Sequence, residues 1–224
     1  RELPKQFLSL FGDQSLIQQA IRRCADLSSA DSTWIVTNAV HAVETGRQLP
    51  ELSASHILIE PCGRNTAPCI AITAARLLAD DPDAIMLVTP ADHVISPNGA
   101  FVAAVERAMD TVAKNPSRLC LFGIVPTRSA TGYGYIEQGD ELTDSDRVFN
   151  VARFCEKPDL ETAQHFLDAG NFLWNSGIFV WRADTILDAL YQHCPGVTEV
   201  LERFKEHAGT DKWASSLERE FSNM

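Results

Sequence analysis

Apolar residues follow two rhythms along the chain. Short continuous runs of buried-strand length occur at Trp34-Ile35-Val36, Ile57-Leu58-Ile59, Ile85-Met86-Leu87-Val88 and Leu119 to Ile124. Between them, apolar positions recur at helical spacing. Leu16, Ala20, Ile21 and Cys24 do so within Ser15 to Ala25, and Phe101, Val105, Ala108, Met109 and Val112 within Phe101 to Ala113. His41 to Leu49 and Thr66 to Leu78 also suit helices, the first stopped near Pro50 and the second with Pro68 in its first turn. Lys5 to Leu10 reads as a short extended piece before the Gly12-Asp13 turn. Strands alternating with helices predict a parallel sheet with crossover helices on both faces.

After Ile124 the rhythm changes. Tyr133 to Glu137 and Val148 to Phe154 read as strands joined by the acidic stretch Gly139 to Asp146. Asp159 precedes a helix over Leu160 to Ala169, and Phe172 to Trp181 is a long apolar strand. Thr185 to His193 and Val197 to His207 read as amphipathic helices, and Phe221 to Met224 show no clear element. There is no internal repeat or linker. The expectation is one α/β domain over residues 1–224, with a mixed, mainly parallel sheet flanked by helices.

Composition narrows the function. Hydrophobic residues make up 45% and charged residues 22% of 224, ordinary for a globular domain. The formal net charge of -11 argues against a nucleic-acid partner, which needs clustered cations, but does not exclude a nucleotide. The six cysteines form no C-x-x-C pair, so reduced thiols in a cytoplasmic protein are expected rather than a zinc or disulfide framework. No apolar run is long enough to span a membrane.

Candidate chemistry gathers where strands end. Asp92 follows the run Ile85 to Val88, just past Thr89-Pro90, at the sheet edge where α/β folds bind ligands. Its carboxylate suits a hard cation such as Mg²⁺, or it caps the following helix; the local pattern fits either. The loop Glu60-Pro61-Cys62-Gly63-Arg64-Asn65-Thr66 leads into a helix N-terminus, which favours anions, but it also reads as a capped turn. Glu156 can accept from sugar hydroxyls and Lys157 suits phosphate oxygens, or the two form an exposed ion pair. Asn175 and Ser176 interrupt an apolar strand and need polar partners, from backbone or from a polyhydroxylated ligand. Gly134 lies in a glycine-aromatic stretch that allows close backbone approach to a ligand, or that simply turns the chain at a strand entrance. Asp81-Pro82-Asp83 has D-x-D spacing but precedes its strand and reads as a turn.

Taken in order, Pro4-Lys5-Gln6-Phe7, Glu60-Pro61…Gly63-Arg64-Asn65-Thr66-Ala67-Pro68, Thr89-Pro90-Ala91-Asp92-His93, Gly132-Tyr133-Gly134-Tyr135-Ile136, Phe154-Cys155-Glu156-Lys157-Pro158 and Trp174-Asn175-Ser176-Gly177-Ile178-Phe179 resemble the mannose-1-phosphate guanylyltransferase family. The bacterial form, often fused to a mannose-6-phosphate isomerase domain, is the nearest likeness; Cys155 stands where valine is usual.

The resemblance implies a Rossmann-like fold of the nucleotide-diphospho-sugar transferase type. It also implies a reaction in which GTP and mannose 1-phosphate give GDP-mannose and pyrophosphate. Lys5, Lys157 and Asp92 would be the catalytic residues. Arg1, Lys5, Glu60, Gly63, Arg64, Asn65, Thr66 and Asp92 would face the nucleotide, and Asp92 would hold Mg²⁺. Gly134, Glu156 and Asn175 would contact mannose, and Lys157 the sugar phosphate. Self-association into a homo-oligomer is compatible with it. The family's glycine-rich phosphate loop is expected before residue 1, with at most Arg1 remaining, and its second metal aspartate beyond Met224. Residues 1–224 alone are therefore expected to be inactive or nearly so. Two alternatives stand beside this: a non-catalytic regulatory relative that binds a nucleotide sugar, and a sister nucleotidyltransferase for another sugar or base.

Overall fold

The computed structural model describes residues 3–63, 66–144 and 146–223. The strands are β1 (Ile35–Asn38), β2 (Ile57–Glu60), β3 (Ile85–Val88), β4 (Cys120–Ile124), β5 (Tyr135–Glu141), β6 (Phe149–Cys155) and β7 (Phe172–Arg182). The helices are α1 (Leu16–Arg23), α2 (Ala39–Gln48), α3 (Thr66–Leu78), α4 (Asn98–Lys114), α5 (Leu160–Ala169), α6 (Ala183–His193), α7 (Pro195–Leu201) and α8 (Trp213–Glu220). Local chemistry sets several starts. Ser15 makes a capping box with Gln18 at α1. Asn38 accepts from the His41 N–H at α2, and Asp159 from the Thr162 N–H at α5.

The mixed α/β class is as expected, but the sheet is not mainly parallel. Among the described residues only β1 and β2 pair in parallel, and they form a sheet of their own. The five-stranded sheet is antiparallel at each of its ladders. The reason is β7, which runs against all of its neighbours. The strand–helix alternation of the first half puts β3 and β4 parallel to each other, but β7 is inserted between them. Leu87 of β3 and Cys120 of β4 both pair with Val180, on opposite edges of β7.

Both faces of this sheet are covered. Met86 and Trp181 face α3, α6, α7 and α8 through buried Ile72, Leu187, Leu201 and Leu217. Ile178 and Val180 face α4 through Phe101, Val105 and Val112. Burial on both faces explains why these strands read as continuous apolar runs.

The long strand β7 carries a split along one edge. Its first part, from Phe172 to Trp174, pairs with β5, and its last, from Phe179 to Arg182, with β3. Residues 176–178 have no ladder partner on that edge among the described residues. Their backbone donors are met locally: the Gly177 N–H donates to Asn175 Oδ1 at 3.1 Å, and the Ile178 N–H to Ser176 Oγ at 3.2 Å. Gly177 has φ +70°, a left-handed conformation that favours glycine. The polar residues inside the apolar strand therefore have backbone partners at a kink.

Three further expectations are corrected. Lys5–Phe7 form a 3-10 turn rather than an extended piece. The helix expected over Val197 to His207 is α7 followed by a separate 3-10 turn at Lys205–His207. The chain does not trail off near Phe221, because α8 buries Trp213 and Leu217 in the main core and Phe221 follows them. The Asp81-Pro82-Asp83 stretch is a turn, as read: Asp81 Oδ1 accepts from the Asp83 N–H, and Asp83 pairs with Arg182.

Candidate functional site

Two clusters of polar side chains flank the split in β7. The first lies at the carboxyl end of β3. Pro90 ends the ladder, and its ring sits 3.5 Å from where a Cβ on Gly177 would stand. Asp92 follows. It does not cap the next helix, because α4 begins at Asn98 with Pro97 in the cap position. Its Oδ2 lies 3.4 Å from Lys5 Nζ. Lys5 is brought there by its neighbour Phe7, which is buried with Ile17, Leu49 and Leu52 in a small core that also takes Ala91. A polar network fixes the same turn: Gln48 donates to the Phe7 carbonyl and accepts from Ser15.

The second cluster lies where β5 begins and β6 ends. Gly134 is buried, and a Cβ there would stand 2.7 Å from Glu156 Oε2, 2.9 Å from Phe154 Cζ and 3.5 Å from Asn175 Cβ. Only glycine lets these side chains converge. The Asn175 N–H donates to the Gly134 carbonyl at 2.8 Å, tying β7 to the start of β5. Asn175 Oδ1 is engaged by Gly177, which leaves its amide nitrogen as a donor. Lys157 has φ +45° and its N–H donates to the Tyr133 carbonyl at 3.2 Å, so the chain turns sharply here. Lys157 Nζ lies 3.3 Å from Glu156 Oε1, with both side chains well exposed. The ion pair and the candidate ligand role are thus compatible: an exposed pair can exchange its partner for a phosphate at little cost.

The loop after β2 is described only in part. Arg64 and Asn65 lie outside the described residues, as does Arg1. Thr66 is the first residue of α3 and exposed, so it does not stand at the cap position. Gly63 is exposed with open space about its Cα. Glu60 is the informative member. Its Oε2 is buried with no hydrogen-bond partner among the described residues, and burial raises its carboxyl above the ordinary range. Burial of Cys69, with the Glu60 charge second, pushes that thiol up to about 12 and leaves it inert. The loop is anchored through Leu58 and Cys62 to the core that holds Met86 and Val88 of β3.

Among the described residues no three His, Cys, Asp or Glu side chains converge as a ready-made metal cage. The donor set still fits Mg²⁺. That ion keeps waters and is commonly held by one or two carboxylates together with substrate phosphates, and Asp92 offers one half-exposed carboxylate beside a lysine. Gly177 shapes the site without being marked as a site residue by the sequence. Its place after Asn-Ser in an apolar strand is the available sign of a kink.

Asp92 and Lys5 thus meet past the carboxyl end of β3, and Glu156, Lys157 and Asn175 gather beside Gly134 where β5 begins and β6 ends, within a mixed α/β fold. The chain belongs to the nucleotidyl transferase family, whose model matches residues 1–214. This family in general works with a divalent metal.

Among curated relatives it is similar to mannose-1-phosphate guanylyltransferase RfbM of Salmonella typhimurium, 42% identical over 212 residues, covering 93% of this chain and 43% of the relative. It is also similar to the alginate biosynthesis protein AlgA of Pseudomonas fluorescens, 39% identical over 216 residues, covering 94% of this chain and 44% of the relative. The chain therefore spans under half the length of these relatives.

Among solved structures, it resembles one described as mannose-1-phosphate geranyltransferase from Thermus thermophilus, with TM-score 0.84, 27% identity and 99% and 61% of the two chains covered. A structure described as mannose-6-phosphate isomerase from Helicobacter pylori is also similar, with TM-score 0.78, 36% identity and 91% and 75% covered. No helix among the described residues is long and apolar enough to cross a membrane.

Proposed function

We propose that the protein carrying this chain performs guanylyl transfer to mannose 1-phosphate, giving GDP-mannose and pyrophosphate, and that this chain supplies part of the site. The observation that carries the proposal is the placement of two polar clusters on either side of the split in β7. Lys5 and Asp92 stand on one side, and Gly134, Glu156, Lys157 and Asn175 on the other. The named guanylyltransferase relatives support the same choice of substrates.

In the proposed reaction a phosphate oxygen of mannose 1-phosphate attacks the α-phosphorus of GTP. One P–O bond forms, the bond to pyrophosphate breaks, and pyrophosphate leaves in line with the incoming oxygen. No protein nucleophile is needed, so positioning and charge neutralisation supply the rate. Lys5 would meet the nucleotide phosphates and Lys157 the sugar phosphate. Glu156 and the Asn175 amide would hold the mannose hydroxyls, with Gly134 leaving room for them. A divalent ion, Mg²⁺ in this proposal, would be held by Asp92 and phosphate oxygens and would neutralise charge on the leaving group. The nucleotide would lie along the Glu60, Gly63, Arg64, Asn65 and Thr66 loop, with Arg1 near its phosphates.

The test is a panel of nucleoside triphosphates against sugar 1-phosphates, with pyrophosphate release measured on the native protein that carries this chain. GTP with mannose 1-phosphate is expected to turn over fastest. A faster rate with another base or sugar, or no turnover with any pair, would contradict the proposal.

A further inference from the structure

Arg23 ends α1 as a buried cation, only 6% exposed. Its guanidinium lies 5.7 Å from the ring centre of Phe101 on α4. One amino group, Nη2, donates to the His93 carbonyl at 2.6 Å. The other, Nη1, is buried without a hydrogen-bond partner among the described residues. A half-satisfied buried cation is a poor way to stabilise a fold, and apolar replacements of such groups are often neutral or stabilising. Arg23 therefore calls for a geometric explanation.

That explanation lies in what it holds. The segment from Pro90 to Pro97 is irregular, between β3 and α4. Among the described residues, two hydrogen bonds reach it from elsewhere in the fold. Lys5 meets the Asp92 side chain and Arg23 the carbonyl of the next residue. The Lys5 contact is long and exposed, whereas the Arg23 contact is short, charge-assisted and part-buried.

We infer that Arg23 is a positioning residue for Asp92, fixing the backbone beside it so that the carboxylate faces the substrate phosphates and their cation. This rests on the reading of Asp92 as the metal carboxylate. Groups that orient a ligand from behind affect metal use without touching the metal.

The test compares Arg23→Met with wild type in the native protein. The variant is expected to fold with an unchanged or higher melting temperature. Amides of residues 91–95 in the metal-free protein should exchange with solvent on the order of tenfold faster, because local opening costs less. The Mg²⁺ concentration for half-maximal rate should rise on the order of tenfold, while KM for mannose 1-phosphate stays unchanged. Arg23→Lys, which keeps a cationic donor, should recover part of both shifts. If Arg23→Met fails to fold, Arg23→Gln takes its place with the same expected shifts. Wild-type exchange together with a wild-type Mg²⁺ requirement would overturn the inference. Asp92→Asn separates the two levels. If it leaves the Mg²⁺ requirement unaltered, the metal reading of Asp92 fails, while amide exchange still reports whether Arg23 pins the segment.

Discussion

Lys5 Nζ stands 3.4 Å from Asp92 Oδ2 across 87 positions of sequence. Both side chains are largely open to water, at 62% and 42% exposure, and exposed pairs of this kind contribute about 1 kcal/mol or less. Stability does not explain the contact, whereas the proposed roles do: Lys5 meeting nucleotide phosphates beside a cation held by Asp92. Lys5→Gln is expected to leave the unfolding midpoint nearly unchanged and to lower kcat by about a hundredfold. Steady-state kinetics and a denaturant melt on the same preparation check both halves.

Gly134 is the position where added volume tests the proposed mannose contacts. A methyl group there would meet Glu156 Oε2 at 2.7 Å and Phe154 Cζ at 2.9 Å. Glu156 is exposed and can swing away, so Gly134→Ala should fold. Displacing Glu156 removes a hydrogen-bond acceptor from the proposed mannose contacts. KM for mannose 1-phosphate is expected to rise about tenfold, the equivalent of one charged hydrogen bond, with KM for GTP unaltered. An equal rise in both would place Glu156 elsewhere.

Glu60 gives a pH-dependent prediction. Burial raises its folded-state pKa above the ordinary value of 4.5, so the charged form is penalised in the native state. A group shifted this way favours folding at pH below its unfolded pKa. The contribution is lost as pH rises through the folded value. Glu60→Gln removes a charge that is costly at pH 7 and absent at low pH. The variant should therefore gain stability over wild type at pH 7 and show little gain near pH 4, measured by urea unfolding at both. GTP binding should weaken at the same time, since Glu60 is proposed to face the nucleotide.

The helix α8 tests the architecture rather than the chemistry. Leu217 is 3% exposed and packs in the core that backs β3 and β7. Leu217→Ala should cost about 2–5 kcal/mol, read as a lower urea midpoint, while substrate KM values at a permissive temperature stay close to wild type.

Much of this fold can be read from residue pattern, because burial on two faces turns strands into plain apolar runs and the α3 and α4 stripes carry helical spacing. Strand direction cannot be read that way. Nothing local to Phe172–Arg182 says that it will run between β3 and β4 and against both. The polar pair Asn175 and Ser176 raises the matter of partners without resolving it, since the answer is a kink whose donors they satisfy themselves. At α8, the Trp213, Leu217, Phe221 spacing is present but short, and its burial depends on distant strands. Among candidate site residues, Asp92, Gly134, Glu156 and Asn175 are legible because their types fit strand-end chemistry. Arg23 is not, because a charged residue closing an amphipathic helix reads as solvent-facing until α4 is seen packed over it.

The proposed nucleotidyl transfer depends on the carboxylate at the end of β3. Pyrophosphate release from GTP and mannose 1-phosphate, compared between wild type and Asp92→Asn at saturating substrates and Mg²⁺, tests it most directly. The wild-type rate should vanish when mannose 1-phosphate is left out, and the folded variant should lose at least about a hundredfold. Full activity in Asp92→Asn would contradict it.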